Sequence, residues 1–129
     1  MVKLSYLDTS AAMKLVIDEG ESAALAKGLS SDRQLVSSWL LHTEMHCAAG
    51  RHPDDVDLKT MQSVLNTVNL ADITRGDMIV AGTLAPLRSN DAMHLAVALR
   101  LGADEMVTYD TELADAARSA GLSVFAPTS

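Results

Sequence analysis

Residues 2–17 read VKLSYLDTSAAMKLVI, and this stretch sets the pattern from which the fold is predicted. Its first part, residues 2–7, mixes β-branched and other apolar side chains, which favours a strand. Asp8, Thr9 and Ser10 follow, and side chains of these types cap helix N-termini. Apolar residues then recur at helical spacing over residues 11–17. The stretch therefore predicts a strand that passes into a helix at Asp8.

The same alternation of strand and helix continues along the chain. Further strands are predicted at residues 33–37, 69–73, 106–109 and 122–125. Further helices are predicted at residues 19–29, 39–49, 54–68, 74–85, 89–101 and 111–120. Short apolar strands between helices are typical of a parallel sheet, because the crossover connections cover both of its faces with helices. We therefore expect an α/β fold, a three-layer α/β/α sandwich with a central, mostly parallel sheet.

Length and composition bound the class of protein. The 129 residues are 48% apolar, enough for one hydrophobic core, so residues 1–129 are expected to form a single domain. No apolar run approaches the roughly 20 residues that cross a bilayer, and Asp8 interrupts the run at the start. Cys47 is the lone cysteine and lies in an apolar stretch, where we expect a core position. These features indicate a cytoplasmic protein without membrane contact.

Charge restricts how this protein could meet a nucleic acid. The formal net charge is −7, so the overall field repels free nucleic acid and any such role must be local. One Trp, two Tyr and one Phe leave few platforms for stacking bases, which argues against a module that binds by stacking. Four basic residues are candidates for phosphate contacts, although each is more simply explained as a solvated charge: Lys14, Arg33, Arg51 and Arg88.

Four acids stand out from their surroundings in the sequence. Asp8 and Asp110 each follow a predicted strand, and ligand sites form beyond the carboxyl ends of parallel strands. Glu44 projects from an apolar helix with no visible cation partner, and Asp91 begins an almost wholly apolar helix. Helix capping by the aspartates, and an interaction of Asp91 with the helix dipole, stay open as purely structural explanations.

A cluster of these carboxylates would imply bound cations, because like charges a few ångströms apart stay ionised only when they are neutralised. Oxygen ligands favour Mg²⁺ or Mn²⁺ over Zn²⁺. Paired divalent ions can activate water and stabilise the leaving oxygen of a phosphodiester. Bound cations also invert the local potential, so an acidic protein can receive an anionic backbone at such a site.

Several strings of this sequence resemble the PIN-domain toxins called VapC, in order and over nearly the whole chain. They are YLDTSA at residues 6–11, the Glu44 helix, NDAMHLA at residues 90–96, VTYD at residues 107–110, and then Leu113, Ala114, Ala116, Ala117 and Gly121. Asn90 is a departure, since relatives often carry an apolar or aromatic residue there. The resemblance implies a PIN-like fold and the toxin endoribonuclease of a type II toxin–antitoxin module. Such a toxin needs Mg²⁺ or Mn²⁺, cleaves RNA such as transfer or ribosomal RNA, forms a homodimer, and is silenced in a hetero-oligomer by a VapB-type antitoxin.

The resemblance also assigns roles to residues. Matched position by position, it makes four acids the metal ligands and catalytic residues: Asp8, Glu44, Asp91 and Asp110. Asp8 and Asp91 are the firmest ligands. Ser10 and Thr108 would support the acids through hydroxyl hydrogen bonds. Glu44 or Asp110 would assist proton transfer, and Glu112 could share the role of Asp110.

Two other functions fit parts of this pattern. A receiver-like phosphoacceptor also gathers acids around Mg²⁺ at strand ends, but it would need a lysine after a late strand, and no lysine follows Lys59. A catalytically inactive PIN domain that binds a partner or acts in regulation is the other alternative. The presence of all four acids disfavours it.

Three histidines are expected to be structural or surface residues. His42 and His46 are four apart, as in a zinc-protease helix, but Glu44 lies about 200° around the helix from each of them, which excludes that motif. They are expected at the surface or facing a partner. His94, three residues after Asp91, could approach the site, but on an apolar helix we expect a hydrogen-bonded core histidine rather than a catalytic one.

Overall fold

A computed structural model of the protein describes residues 2–30 and 32–128. These residues contain five strands: β1 (Lys3–Leu7), β2 (Arg33–Ser38), β3 (Asn69–Ala71), β4 (Glu105–Val107) and β5 (Ser123–Phe125). The strands form one sheet in the spatial order β3-β2-β1-β4-β5. Every neighbouring pair is parallel, so the sheet is wholly parallel rather than mostly so.

Seven helices connect these strands in the described part of the chain. They are α1 (Thr9–Lys14), α2 (Ser22–Leu29), α3 (Trp39–Arg51), α4 (Leu58–Asn66), α5 (Arg75–Ala81), α6 (Ser89–Leu101) and α7 (Thr111–Ser119). Buried side chains of α1 to α4 form one core cluster, and those of α6 and α7 belong to a second. The three-layer α/β/α arrangement expected from the sequence is therefore confirmed. None of the described helices is long and apolar enough to cross a bilayer.

The central strand β1 separates the two core clusters. Tyr6 belongs to the cluster beneath α6 and α7, whereas Leu7 belongs to the cluster beneath α1 to α4, and both are fully buried. Successive strand residues point to opposite faces, so one strand contributes to both cores. The chain leaves β1 at Asp8, in the middle of the carboxyl edge of the sheet.

The boundaries of some elements differ from the prediction. The helix expected from residue 54 begins at Leu58, because the Asp57 side chain caps it by accepting from the Lys59 N–H at 3.2 Å. The helix expected to reach residue 85 ends at Ala81, with Gly82 as its C-cap. Strand β4 ends at Val107, two residues earlier than expected. Residues 108–110 are thereby free to turn across the sheet edge.

The prediction that Cys47 lies in the core is wrong, because its side chain is exposed. Leu41, Met45 and Ala49 are the buried residues of α3. At about 100° per residue, Cys47 projects from the opposite side of that helix.

Candidate active site

The two aspartates that follow strands lie at the same edge of the sheet. β1 and β4 are neighbours, and their last residues, Leu7 and Val107, are paired in register. Asp8 directly follows β1, and Asp110 lies three residues beyond the end of β4. Each also caps the next helix, with its Oδ1 accepting from a backbone N–H at 3.0 Å. Both aspartates therefore cap helices, as expected. Each can still take part in a site at this edge, because a carboxylate has two oxygens and the capping hydrogen bond uses Oδ1.

Two hydroxyls hold the carboxylate of Asp8, which is only 2% exposed. The Ser10 hydroxyl donates to Oδ1 at 2.8 Å, and the Thr108 hydroxyl donates to Oδ2 at 2.6 Å. Burial raises the pKa of Asp8, while hydrogen bonds from Thr108, a backbone N–H and Ser10 act in the opposite direction. The residues predicted to support the acids, Ser10 and Thr108, therefore contact Asp8 directly and fix its orientation.

The same hydroxyls hold the chain after β4. The backbone N–H of Tyr109 donates to the Ser10 hydroxyl at 3.0 Å, and that of Asp110 donates to the Thr108 hydroxyl at 3.0 Å. The start of α1 and the chain leading into α7 are thereby joined across the sheet edge. Asp8 and Asp110 are consequently fixed relative to each other.

Glu44 reaches the edge from α3. Its Oε1 accepts from the Thr9 hydroxyl at 2.8 Å and contacts His94 Nε2 at 2.6 Å, while Asn90 Nδ2 lies 3.4 Å from Oε2. Burial alone would raise the pKa of Glu44, but the interactions with His94, Thr9 and Asn90 outweigh it and lower the pKa. Glu44 is therefore ionised at neutral pH.

Glu44 has a neighbour that the sequence did not indicate: His94, whose imidazole ring can carry a positive charge. The histidine is 1% exposed, and its Nδ1 lies 2.7 Å from the hydroxyl of Tyr6. It is the hydrogen-bonded core histidine that the sequence indicated. Its second nitrogen, however, contacts a candidate site residue, and this contact was missed. The available signal was the position of His94 three residues after Asp91, one helical turn along the same face.

Asp91 brings the fourth carboxylate to this edge from the first turn of α6. Its pKa is raised first by burial and then by the negative charges of Asp110, Asp8 and Glu44, with His94 acting in the opposite direction. The four acids predicted from the sequence are therefore close enough to interact electrostatically. Their mutual repulsion is a local destabilisation that a bound cation would relieve.

A cleft opens beside Asp91 and Asp110, and its other lining residues include Arg88, Tyr109 and Glu112. Glu112 therefore lies near Asp110, as the sequence indicated. A second cleft, on the Glu44 side, is lined by Ser10, Thr43, Cys47, Arg51 and Asn90, among others. The acidic edge is thus open to solvent on two sides, each with one arginine.

The donor set at this edge fits a hydrated divalent cation. Its side chains offer carboxylate oxygen, which suits Mg²⁺ and Mn²⁺. Across residues 2–30 and 32–128, no group of three or more His, Cys, Asp or Glu side chains is arranged to hold a metal ion by itself. Zn²⁺, which usually takes three or four protein ligands, fits poorly, whereas Mg²⁺ commonly keeps several waters and needs only one or two carboxylates.

The remaining candidates divide into structural and surface residues. Lys14 pairs with two glutamates at 3.1 and 3.0 Å, and Arg33 pairs with Glu105 at 2.6 Å, so both have structural partners. His42 and His46 stack with ring centroids 4.1 Å apart, and His46 is exposed, in agreement with a surface position. Arg51 and Arg88, by contrast, line the two clefts.

A parallel α/β/α sandwich with acids gathered at its carboxyl edge defines a class of protein. The family profile described as PIN domain matches residues 5–119. The chain belongs to the PIN-domain family.

Sequence relatives narrow this assignment. Ribonuclease VapC46 of Mycobacterium tuberculosis is 38% identical over 126 residues, covering 95% of this chain and 96% of the relative. Ribonuclease VapC35 of the same organism is 37% identical over 133 residues, with the same coverage. These identities place the chain with the VapC proteins of the family.

Solved structures share the fold. M. tuberculosis VapC20, described as a sarcin-ricin loop cleaving toxin, has a TM-score of 0.72 at 15% identity, covering 95% of this chain and 99% of that one. A toxin-antitoxin complex from Klebsiella pneumoniae has a TM-score of 0.69 at 19% identity, covering 95% and 97%.

Proposed function

We propose that this protein is a divalent-metal-dependent endoribonuclease and the toxin of a type II toxin–antitoxin module, with residues 1–129 as a single PIN domain. One observation carries the proposal: four carboxylates share the carboxyl edge of the sheet, and the Ser10 and Thr108 hydroxyls tie Asp8 to the chain that leads into Asp110. The raised pKa of Asp91, to which burial and then the charges of the other three acids contribute, agrees with this arrangement. Relatives 38% and 37% identical to this chain are named ribonucleases, which supports RNA as the substrate.

We propose that Asp8, Glu44, Asp91 and Asp110 hold Mg²⁺ or Mn²⁺, one or two of them directly and the others through waters that the cation keeps. Asp8 and Asp91 are the firmest of them, because Asp8 is fixed in orientation and Asp91 is destabilised by the charges around it. When bound, the cation would supply a water of lowered pKa and stabilise negative charge on the phosphodiester.

Glu44 and Asp110 are the proposed proton acceptors, and the contacts favour Glu44. Its lowered pKa keeps it ionised, so it can take a proton from an attacking water. Its Oε1 is occupied by Thr9 and His94, whereas Oε2 has only the 3.4 Å contact with Asn90. One oxygen is thus held in place while the other can act.

RNA has to approach an acidic protein, since the formal net charge is −7. Cations held by the carboxylates would reverse the potential at this edge alone. Arg88 lines the cleft that contains Asp91, and Arg51 lines the cleft that contains Glu44; we propose that they contact phosphates on either side of the scissile bond. We propose structured RNA such as transfer or ribosomal RNA as the substrate, and the description of VapC20 as a sarcin-ricin loop cleaving toxin supports this class.

The proposed partners are a VapB-type antitoxin and a second copy of this chain. Met78, Ile79 and Val80 of α5 are 57%, 66% and 44% exposed, and such adjacent exposed apolar side chains support a protein interface. The free, exposed thiol of Cys47 fits a reducing compartment, which supports the proposed cytoplasmic location.

Cleavage of a total RNA pool by the purified, partner-free protein tests the function. Reactions contain Mg²⁺, Mn²⁺ or excess EDTA, and they compare the wild type with Asp8→Asn and Asp91→Asn. Asp54→Asn removes the same charge from an exposed turn that lines neither cleft of the site, and it is the matched control. We expect discrete, metal-dependent cuts from the wild type and Asp54→Asn, and none from the two site variants.

Two outcomes would contradict the proposal. If folded wild-type protein leaves RNA intact with both metals, the nuclease assignment fails and the protein is the catalytically inactive, partner-binding PIN domain. If Asp8→Asn and Asp91→Asn cut as well as the control does, cleavage does not depend on these acids and the proposed site is wrong.

A further inference from the structure

A buried histidine connects the two core layers to the candidate site. His94, on α6, is 1% exposed. Its Nδ1 lies 2.7 Å from the Tyr6 hydroxyl of β1, and its Nε2 lies 2.6 Å from Oε1 of Glu44 on α3. Three elements that are distant in sequence thus meet at one imidazole ring.

The donor and the acceptor in each of these two contacts can be assigned from the chemistry of the side chains. An ionised carboxylate only accepts hydrogen bonds, so Nε2 of His94 has to carry a proton and donate a hydrogen bond to Glu44. The Tyr6 hydroxyl is an O–H donor 2.7 Å from Nδ1 and can donate to it. Tyr6 therefore selects the ring form whose proton lies on Nε2, on the side of Glu44.

The contacts on Glu44 are unequal between its two oxygens. Oε1 receives the short contact from His94 and the 2.8 Å hydrogen bond from Thr9. Oε2 has one contact, at 3.4 Å, with Asn90. The side chain is therefore held by Oε1, and Oε2 is the oxygen left for chemistry.

We propose that His94 is a positioning residue for Glu44: its Nε2–H, oriented by the Tyr6 hydroxyl, holds Oε1 and thereby presents Oε2 to the divalent cation and its water. The inference rests on the proposed function, because it assigns Glu44 to that cation. It goes further in naming a residue outside the four acids on which cation binding depends. Loss of such an outer partner typically weakens metal binding or activity about 10- to 100-fold.

Substitution of His94 by glutamine or by asparagine distinguishes a role in positioning Glu44 from a role in core packing. Glutamine places its amide nitrogen near the position of Nε2, whereas the shorter asparagine places it near Nδ1, so only glutamine can reach Glu44. Both are polar, but asparagine lacks one methylene and leaves a larger cavity, so a role in packing would lower the thermal midpoint of His94→Asn without lowering its affinity for Mn²⁺. A role in positioning instead lowers the affinity for Mn²⁺ in His94→Asn and preserves it in His94→Gln.

The first test needs no substitution. Nitrogen-15 NMR of histidine-labelled, metal-free wild-type protein reports which nitrogens of His94 carry a proton. A protonated Nε2 is expected. An unprotonated Nε2 would overturn the inference, whatever the protein does to RNA.

The second test measures Mn²⁺ binding to metal-free protein by calorimetry, together with the Mn²⁺ dependence of RNA cleavage. His94→Asn is expected to weaken Mn²⁺ binding about 10- to 100-fold. His94→Gln should bind close to the wild type, and the KM for RNA should stay near the wild-type value in both variants. Circular dichroism and thermal midpoints check that both variants fold.

The outcomes distinguish the positioning role of His94 from the proposed nuclease function. If the wild type binds Mn²⁺ and cleaves RNA but His94→Asn binds Mn²⁺ as tightly as His94→Gln, the positioning role of His94 is wrong and the proposed function stands. If the wild type neither binds Mn²⁺ nor cleaves RNA, the proposed function fails and the positioning role fails with it.

Discussion

The hydroxyl of Thr108 lies 2.6 Å from Oδ2 of Asp8, across the boundary between two neighbouring strands. Both residues are buried, at 1% and 2% exposure, so water cannot replace this hydrogen bond. The contact joins the end of β4 to the end of β1 and holds the most deeply buried acid of the candidate site. Its loss should therefore affect stability and the ionisation of Asp8 together.

Thr108→Val keeps the shape of the side chain and removes the hydroxyl. Hydrogen bonds to charged groups contribute about 1.5–3 kcal/mol, and a loss of that size in the free energy of unfolding is expected. The pKa of Asp8, already raised by burial, should rise further because Thr108 acts to lower it. Urea denaturation at pH 7 in EDTA measures the stability. Thr108→Ser, which keeps the hydroxyl, is the control, and equal stability of the two variants would contradict the prediction.

Asp91→Asn should stabilise the metal-free protein at neutral pH, although it is expected to abolish activity. The pKa of Asp91 is raised above its ordinary 3.8 by burial and by nearby acids, so the folded state disfavours the ionised form. Between 3.8 and the raised value, the folded protein binds more protons than the unfolded chain does. Stability contributed by this group therefore falls as pH rises through that window, and asparagine does not share this loss.

Thermal midpoints of the wild type and Asp91→Asn, measured in EDTA across a pH series, check this sign. The variant should have the higher midpoint at pH 7, and the difference should shrink as pH falls towards the ordinary value of 3.8. A variant that is less stable than the wild type at pH 7 would show that repulsion at this edge is relieved without a cation. Asp54→Asn, on an exposed turn, is the charge-matched control.

Local patterns were sufficient to predict the strands, the helices and the edge that carries the acids. The β-branched and apolar side chains of β1 and the capping side chains after it are local features, so they are visible in residues 2–17. Parallel strands bring their carboxyl ends to one edge, so the sequence predicts that Asp8 and Asp110 converge if their strands are neighbours, and β1 and β4 are neighbours in the sheet. Boundaries were less accurate, because caps such as Asp57 compete with several polar neighbours.

The contacts that were missed depend on tertiary packing. Glu44 and His94 are 50 residues apart, and only the packing of α3 beside α6 brings them to 2.6 Å. Cys47 was misplaced because Met45, Ala48 and Ala49 near it are apolar, and this composition does not show which side of α3 is buried. Sequence periodicity identifies faces, but the neighbour that covers each face is decided by the fold as a whole.

Replacement of two glycines by alanine should change the stability of the protein in opposite directions. Gly102 ends α6 with φ +70° and ψ 34°, a left-handed conformation that costs a residue with a Cβ about 1–2 kcal/mol. Gly50 lies within α3, with no atom within 4 Å of an added Cβ, and alanine is favoured there by up to about 1 kcal/mol. Gly102→Ala should therefore lower the urea midpoint, and Gly50→Ala should raise it. Shifts of the same sign would contradict the assigned backbone conformations.

Arg33→Met should be among the most destabilising single substitutions in the sheet. The side chain of Glu105 is 3% exposed, and it accepts from Arg33 Nε at 2.6 Å and from the Ser5 hydroxyl at 2.7 Å. Removing one partner of a buried ion pair leaves an uncompensated charge and typically costs about 3–5 kcal/mol. Lys3, 3.8 Å away and mostly exposed, can offset only part of that cost.

A double-mutant cycle with Glu105→Gln tests this prediction. Urea denaturation should show that Arg33→Met combined with Glu105→Gln is less destabilised than the sum of the single variants, because the second change removes the unpaired charge. Arg118→Met is the control: that arginine pairs with Asp115 at 3.4 Å with both side chains exposed, and its loss should change stability by no more than about 0.5 kcal/mol. Additive effects at Arg33 and Glu105 would mean that Arg33 acts through its packing over the Phe125 ring, 3.9 Å away, rather than through the carboxylate.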